Sequence, residues 1–209
     1  NAADVVTNIT YYDGLGRPIQ QIGHRQGGTG GDLITHIEYD PLGRQVKEYL
    51  PYERSSTSLD YEANGLSNTE AFYNTPEFDN TTNPFSKKQF ESSPLNRVLK
   101  QAAPGNEWAM GSNHEVKFKY HTNANNEVYK FSIGPNSSFL PDLDYDGYYP
   151  SDQLYKTITY DENNENSAVR GSVVEYKDKL GRVVLKRHYS SVSGRTSTPD
   201  PNPSIELDT

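Results

Sequence analysis

The sequence predicts an all-β protein: an antiparallel meander of Tyr-Asp hairpins forming a twisted sheet or partial shell, with a loop-rich insertion. Three observations predict it. A short turn phrase recurs along the chain, apolar side chains alternate with polar ones between the turns, and tyrosine dominates the aromatic content.

The turn phrase comes first. Tyr12-Asp13-Gly14-Leu15-Gly16-Arg17 is matched by Tyr39-Asp40-Pro41-Leu42-Gly43-Arg44. A third copy, Tyr176 to Arg182, is one residue longer, and a degenerate fourth runs from Phe90 through Asn96 to Arg97. In every copy an aromatic precedes a polar turn that closes with Leu, then Gly or Asn, then Arg. An Asp after the last strand residue accepts a hydrogen bond from a backbone N–H two residues on. The residue before Arg must take positive φ to close a short hairpin with a bulge, which Gly adopts freely and Asn next best. Gly16, Gly43, Asn96 and Gly181 are the residues that such a position selects. The Arg then opens the returning strand nearly opposite the aromatic, where ring and guanidinium can stack for about 0.5–1 kcal/mol. Pairing of Asp with Arg is the alternative. The arginines at 17, 44, 97 and 182 are spaced near multiples of one 27-residue unit, enough for two strands and two turns.

Alternation then places the strands. Val116, Phe118 and Tyr120 share one face, as do Tyr129, Phe131 and Ile133 beyond an Asn-rich turn. Leu154 to Tyr160 pairs with Val173 to Tyr176, and the chain returns through Val183 to Tyr189. Residues 1–189 form a single β domain on this reading. Residues 53–89, rich in Ser, Thr, Asn and Pro, form an irregular insertion with a short helix near Leu66 to Tyr73. Gly27 to Gly31 is a flexible hairpin loop, and residues 190–209, with three prolines, are a linker or tail.

Composition sets bounds. Of 209 residues only 33% are hydrophobic, with 16 Tyr against seven Phe and one Trp, and the mean hydropathy is −0.87. A Tyr ring covers a pleated surface while its hydroxyl stays wet, so this inventory suits thin sheets rather than a thick core. The net charge of −8, with no separate basic block, disfavours nucleic acid as a partner. Absence of Cys excludes disulfides, thiol catalysis and thiolate metal sites. No apolar run approaches the roughly 18 residues of a membrane helix, so no membrane insertion is expected.

These turns resemble the Tyr-Asp repeats of the RHS family, whose bacterial members are large secreted proteins and whose animal relatives include the teneurins. The phrases at 9–21, 38–52, 90–105 and 175–189 look like the region preceding the repeat array in RHS-type proteins of Bacteroidetes. The resemblance implies a secreted or cell-surface location. It also implies a β-sheet shell that encloses a C-terminal, toxin-like cargo, with this chain as a cap or stretch of wall. Its partners would be downstream RHS repeats, the cargo and glycans, and its role would be structural rather than enzymatic. Adhesion or carbohydrate binding by the same fold is the alternative. The family's aspartyl self-cleavage uses paired acidic motifs; Asp40-Pro41-Leu42-Gly43 matches one half, no partner motif follows, and a Pro-containing turn accounts for it.

Two further candidates stand outside the turns. Asp142, Asp144 and Asp146, ahead of Gly147, open like a calcium loop, although Gln153 stands where a bidentate Glu would complete it. Calcium is therefore the one candidate cofactor, against a solvated acidic turn. Tyr145, Tyr148 and Tyr149 beside it form a candidate platform for sugar rings, against cross-strand packing. His24, His36, His114, His121 and His188 lie apart in sequence, and no hydrolase motif is present, so no catalytic residue is assigned.

Overall fold

The carboxylate turns organise a set of antiparallel sheets. The structure is a computed structural model that describes residues 5–135, 141–164 and 171–189. The strands are β1 (Asn8–Tyr12), β2 (Pro18–Gly23), β3 (Asp32–His36), β4 (Lys47–Tyr49), β5 (Tyr52–Arg54), β6 (Phe85–Phe90), β7 (Val98–Ala102), β8 (Val116–Thr122), β9 (Tyr129–Pro135), β10 (Pro141–Tyr148), β11 (Tyr155–Tyr160), β12 (Ser172–Lys177) and β13 (Val183–Tyr189). One helix, α1 (Gly65–Tyr73), and a 3₁₀ turn over Pro76–Phe78 join them among the described residues. The protein is all-β with antiparallel sheets, which form no closed barrel among the described residues.

Four strands form one sheet in the order β1-β2-β3-β5, and seven form another in the order β13-β12-β11-β8-β7-β6-β4. The hairpin β10-β9 stands as a separate two-stranded ribbon. The meander expected from sequence is broken twice. After β4 the chain crosses Leu50 and Pro51 and adds β5 to the first sheet, then returns through α1 to pair β6 with β4. After β8 it leaves to build the ribbon, and β11 comes back to pair with β8. Strands β8 and β9, consecutive in sequence, are therefore not neighbours. Asn123 fixes this departure: its buried side chain accepts from the N–H groups of Gln153 and Leu154 at 3.0 and 2.8 Å and donates to Pro150 O at 2.8 Å.

Residues 53–89 are only partly irregular. The helix is present, but Tyr52–Arg54 and Phe85–Phe90 are strands. Helix α1 has no side-chain cap and is held by packing: Phe72 meets Tyr52, Tyr73 and Phe78. Its approach is anchored by the buried Gln20, which bonds both backbone groups of Glu62 at 2.9 and 2.8 Å. A Cβ on Gly65 would come within 2.9 Å of Gln20 Nε2, so the helix start can lie this close only without a side chain. The Gly27–Gly31 loop is tied down as well. The Glu53 carboxylate accepts from Thr29 N and Gly31 N at 3.1 and 2.8 Å, and with the Thr29 hydroxyl these bonds hold it below the usual range.

Two small cores result, as the composition requires. Ile22, Ile34 and Tyr52 form one, covered by Tyr11, Leu59, Phe72 and Tyr73. Val128, Leu154, Val174 and Tyr176 form the other, against Ile158, Val184 and Leu185. Beside the first, the buried Asp32 accepts from Arg54 Nη2 at 3.2 Å and from Arg25 N at 3.1 Å. Alternation alone misplaces Lys117: it is buried, with Nζ 3.0 Å from Asn164 O.

Candidate interaction surface

The four repeat turns share one backbone geometry. The residues before Arg are all left-handed, with φ of +76° at Gly16, +75° at Gly43, +51° at Asn96 and +80° at Gly181. In three turns the hydrogen bonds repeat as well. Asp13 Oδ1 accepts from Leu15 N and Arg17 N at 2.8 and 2.9 Å, while Oδ2 accepts from Arg17 Nε at 2.8 Å. Asp40 with Leu42 and Arg44 gives 2.9, 2.9 and 2.8 Å, and Asp178 with Leu180 and Arg182 gives 2.9, 2.9 and 2.7 Å. The backbone N–H of Arg17 or Arg44, aided by the guanidinium, holds Asp13 and Asp40 below the ordinary carboxylate range. At Asp178 burial pushes upward, but the bonds from Arg182 outweigh it. Within each turn, then, the arginine pairs with the carboxylate, and its own aromatic is not its stacking partner.

The longer sequence of the last copy is resolved in the strand. Asp178 to Arg182 has the same length as Asp13 to Arg17, and Lys177 occupies the bulge position held by Tyr12 in the first turn and Phe90 in the degenerate one. Tyr176 thereby turns into the core, where burial and the Glu127 carboxylate 2.8 Å away raise its hydroxyl above the ordinary tyrosine value. The degenerate turn divides its work. Ser93 Oγ receives Leu95 N at 3.2 Å, and Glu91 takes Arg97 through Nε and Nη2 at 3.0 and 2.7 Å. With the Arg97 and Ser93 bonds together, the Glu91 carboxyl falls to about 2.

The stacking that the sequence suggested occurs between successive units. The guanidinium of Arg17 lies 4.5 Å from the Tyr39 ring, Arg44 4.8 Å from Phe90, and Arg97 4.8 Å from Tyr120. Register explains all three. The pairs Gln20 with His36, Lys47 with Lys87, and Lys100 with Lys117, each continued three residues toward the turn, set the arginine opposite the ring that covers it. Tyr39 Oη donates to Pro18 O at 3.0 Å and Tyr120 Oη to Val98 O at 2.8 Å, in each case the carbonyl just after the arginine. Arg44 also donates to Asn96 Oδ1 at 2.9 Å, joining one turn to the next. The result is a ladder of carboxylate, guanidinium and ring along one rim.

The ladder has two open ends among the described residues. Side-chain exposure is 36, 25 and 44% for Arg17, Arg44 and Arg97, but 73% for Arg182, over which no ring lies. At the other end Tyr12, immediately before its turn acid as Tyr39 and Phe90 are, is 61% exposed with no guanidinium on it. Both ends coincide with sheet edges, β13 and β1. The leucines at 15, 42, 95 and 180 stay exposed, and only their N–H groups are used.

The remaining candidates lie on the ribbon and around it. Asp142, Asp144 and Asp146 belong to strand β10, not to a loop. Asp146 is taken by Ser132 Oγ at 3.1 Å and Lys130 at 3.6 Å. No group of three His, Cys, Asp or Glu side chains fit for a metal occurs among the described residues. Tyr145 and Tyr148 share one ribbon face with Tyr129 and Phe131, with Tyr129 and Tyr148 stacked at 4.8 Å. Tyr149 departs from them and packs on the second core. A groove of about 510 Å³ between this face and β13 is lined by Val128, Tyr129, Phe131, Val184, Leu185 and Arg187. The histidines do not meet. His24 reaches Asp32 at 3.0 Å, His36 is half-buried beside Tyr49, His114 lies against Trp108, and His121 and His188 sit on separate strands.

Fold and rim together define a β-hairpin repeat protein whose units are joined through a shared ladder. The chain belongs to the family described as Domain of unknown function (DUF6443), whose profile matches residues 1–122. That span contains three of the four turns and ends two residues after Tyr120, the last ring of the ladder. No curated protein matches the chain.

Proposed function

We propose that this chain is a non-catalytic wall segment of a secreted or cell-surface RHS-like protein, contributing to a β-sheet shell around a C-terminal, toxin-like cargo. The observation that carries this reading is the register-locked ladder. A device that couples one hairpin to the strand beyond it is useful to a sheet that keeps growing, and the arginine of the last turn, Arg182, stands uncovered beside the β13 edge. Three of the four turns that resemble RHS repeats build the rungs. The strongly held carboxylates at 13, 40, 91 and 178 are each engaged by their own arginine, which suits a structural role. A chain extended after Tyr189 by one more hairpin of the same type tests the proposal. Hydrogen exchange at the β13 amides is expected to slow and the melting temperature to rise; unchanged exchange would count against a wall.

Carbohydrate binding or cell adhesion by the same fold is the second reading. It is favoured by the exposed ring face of Tyr145, Tyr148 and Phe131, and by a groove of about 610 Å³ where Trp108, Tyr73 and Phe78 stand beside Glu77, Asp79 and Asn106. Aromatic faces flanked by polar groups suit pyranose rings. Binding on a glycan array that is lost in Trp108→Ala or Tyr145→Ala would favour this reading over the first.

A further inference from the structure

The two open ends of the ladder are complementary, and their complementarity is specific in register. Where a turn's arginine is covered, the strand on its far side carries an aromatic directly opposite it. In two of three cases that aromatic immediately precedes the next turn's acid. Tyr12 occupies that same place before Asp13 at the end of β1, while Arg182 immediately precedes β13, and among the described residues the outer edges of both strands are unpaired. An edge strand offers a row of unpaired N–H and C=O groups and pairs readily when a matching edge arrives. The occupant of the Arg182 end must bring an aromatic on a strand edge. Residues 190–209 hold no Phe, Trp or Tyr, so they do not supply it.

We propose that a second copy of this chain docks head to tail, β1 of one copy pairing antiparallel with β13 of another so that Tyr12 covers Arg182. That pairing fixes the register. Val184 then faces Thr10, Leu185 faces Ile9 and Lys186 faces Asn8. Leu185 and Ile9 bring apolar side chains together on one face, as antiparallel pairs favour. The contact is heterologous, using different surfaces on the two partners, so it builds open chains and not closed dimers. It goes beyond the wall reading, because the strand laid on the β13 edge comes from a separate molecule wherever no further hairpin of the same polypeptide takes that edge.

The absence of cysteine allows a direct test. The variants Thr10→Cys and Val184→Cys are mixed in equal amounts under mild oxidation, since cross-strand Cβ atoms in this register fall within disulfide reach. A Thr10–Val184 heterodimer is expected, and the off-register mixture of Asn8→Cys with Val184→Cys should cross-link far less. Adding Arg182→Ala to the Val184→Cys partner should slow cross-linking by about two- to fivefold, the worth of an exposed ring–guanidinium stack. Tyr12→Ala on the other partner should then cause no further loss. Sedimentation of the unmodified chain should show concentration-dependent growth beyond the dimer. A chain that stays monomeric, equal cross-linking in both registers, or additive losses from the two alanines would overturn the proposal. Because the extended single chain is judged by its own β13 exchange, failure here leaves the wall reading to stand or fall separately.

Discussion

Asp13, Asp40 and Asp178 on one side and the Glu91 turn on the other solve the same problem with different parts. In the three short turns a single carboxylate receives the N–H groups two and four residues on and the guanidinium as well. In the longer turn Ser93 receives the near N–H, and Glu91, with its extra methylene, reaches across to Arg97. The left-handed residue is unchanged, and a ring from the strand across covers the arginine at Arg17, Arg44 and Arg97. The comparison teaches that carboxylate–arginine closure and positive φ are what the unit requires, while loop length is negotiable.

Five substitutions sharpen this. The largest effect is expected where the backbone itself is constrained. Gly43→Ala adds a Cβ at φ +75° and 3.4 Å from Arg17 Nη1, and should cost about 1–2 kcal/mol in denaturant unfolding. Gly43→Asn should recover most of that, since Asn96 already fills the equivalent place. Next, Tyr39→Leu removes a ring from Arg17 and a hydroxyl from Pro18 O, a loss of about 1 kcal/mol. Phe90→Leu, at a rung with no hydroxyl bond, should lose less than Tyr39→Leu; equal losses would show that the hydroxyl adds nothing. The smallest effect is on acid stability. The Glu91 carboxyl is depressed from 4.5 to about 2, so its contribution is complete above 4.5 and vanishes as pH falls toward 2. Melting temperature in Glu91→Gln should therefore lie below that of the native chain at neutral pH and converge with it near pH 2. A constant gap across that range would break the assignment.

Most of the turn geometry was legible in sequence, because it is local. Asp, Gly and Arg act within five residues, and Asn96 announces its own conformation. The stacking partner was not legible, since the residue opposite Arg17 depends on which strand pairs at the far edge. Tyr12 looked the natural partner only because it is near in sequence. The strands at Tyr52–Arg54 and Phe85–Phe90 were hidden by the surrounding Ser, Thr, Asn and Pro, and they form because existing edges of β3 and β4 template them. Likewise Asp142 to Asp146 reads as a ligand loop by spacing alone, yet Asp142 to Tyr145 pair residue by residue with β9. Alternation could not anticipate a buried Lys117, whose partner Asn164 lies 47 positions away.

The closure of each corner by groups four to six residues apart bears on how such a molecule assembles. Contacts this near in the chain need little loop closure and form on the microsecond scale of an isolated hairpin, whereas the rungs between units wait for distant strands to arrive. A stretch pulled open by force should regain its bends first, corner by corner, and with no cysteine in the chain no oxidant is needed to reset it.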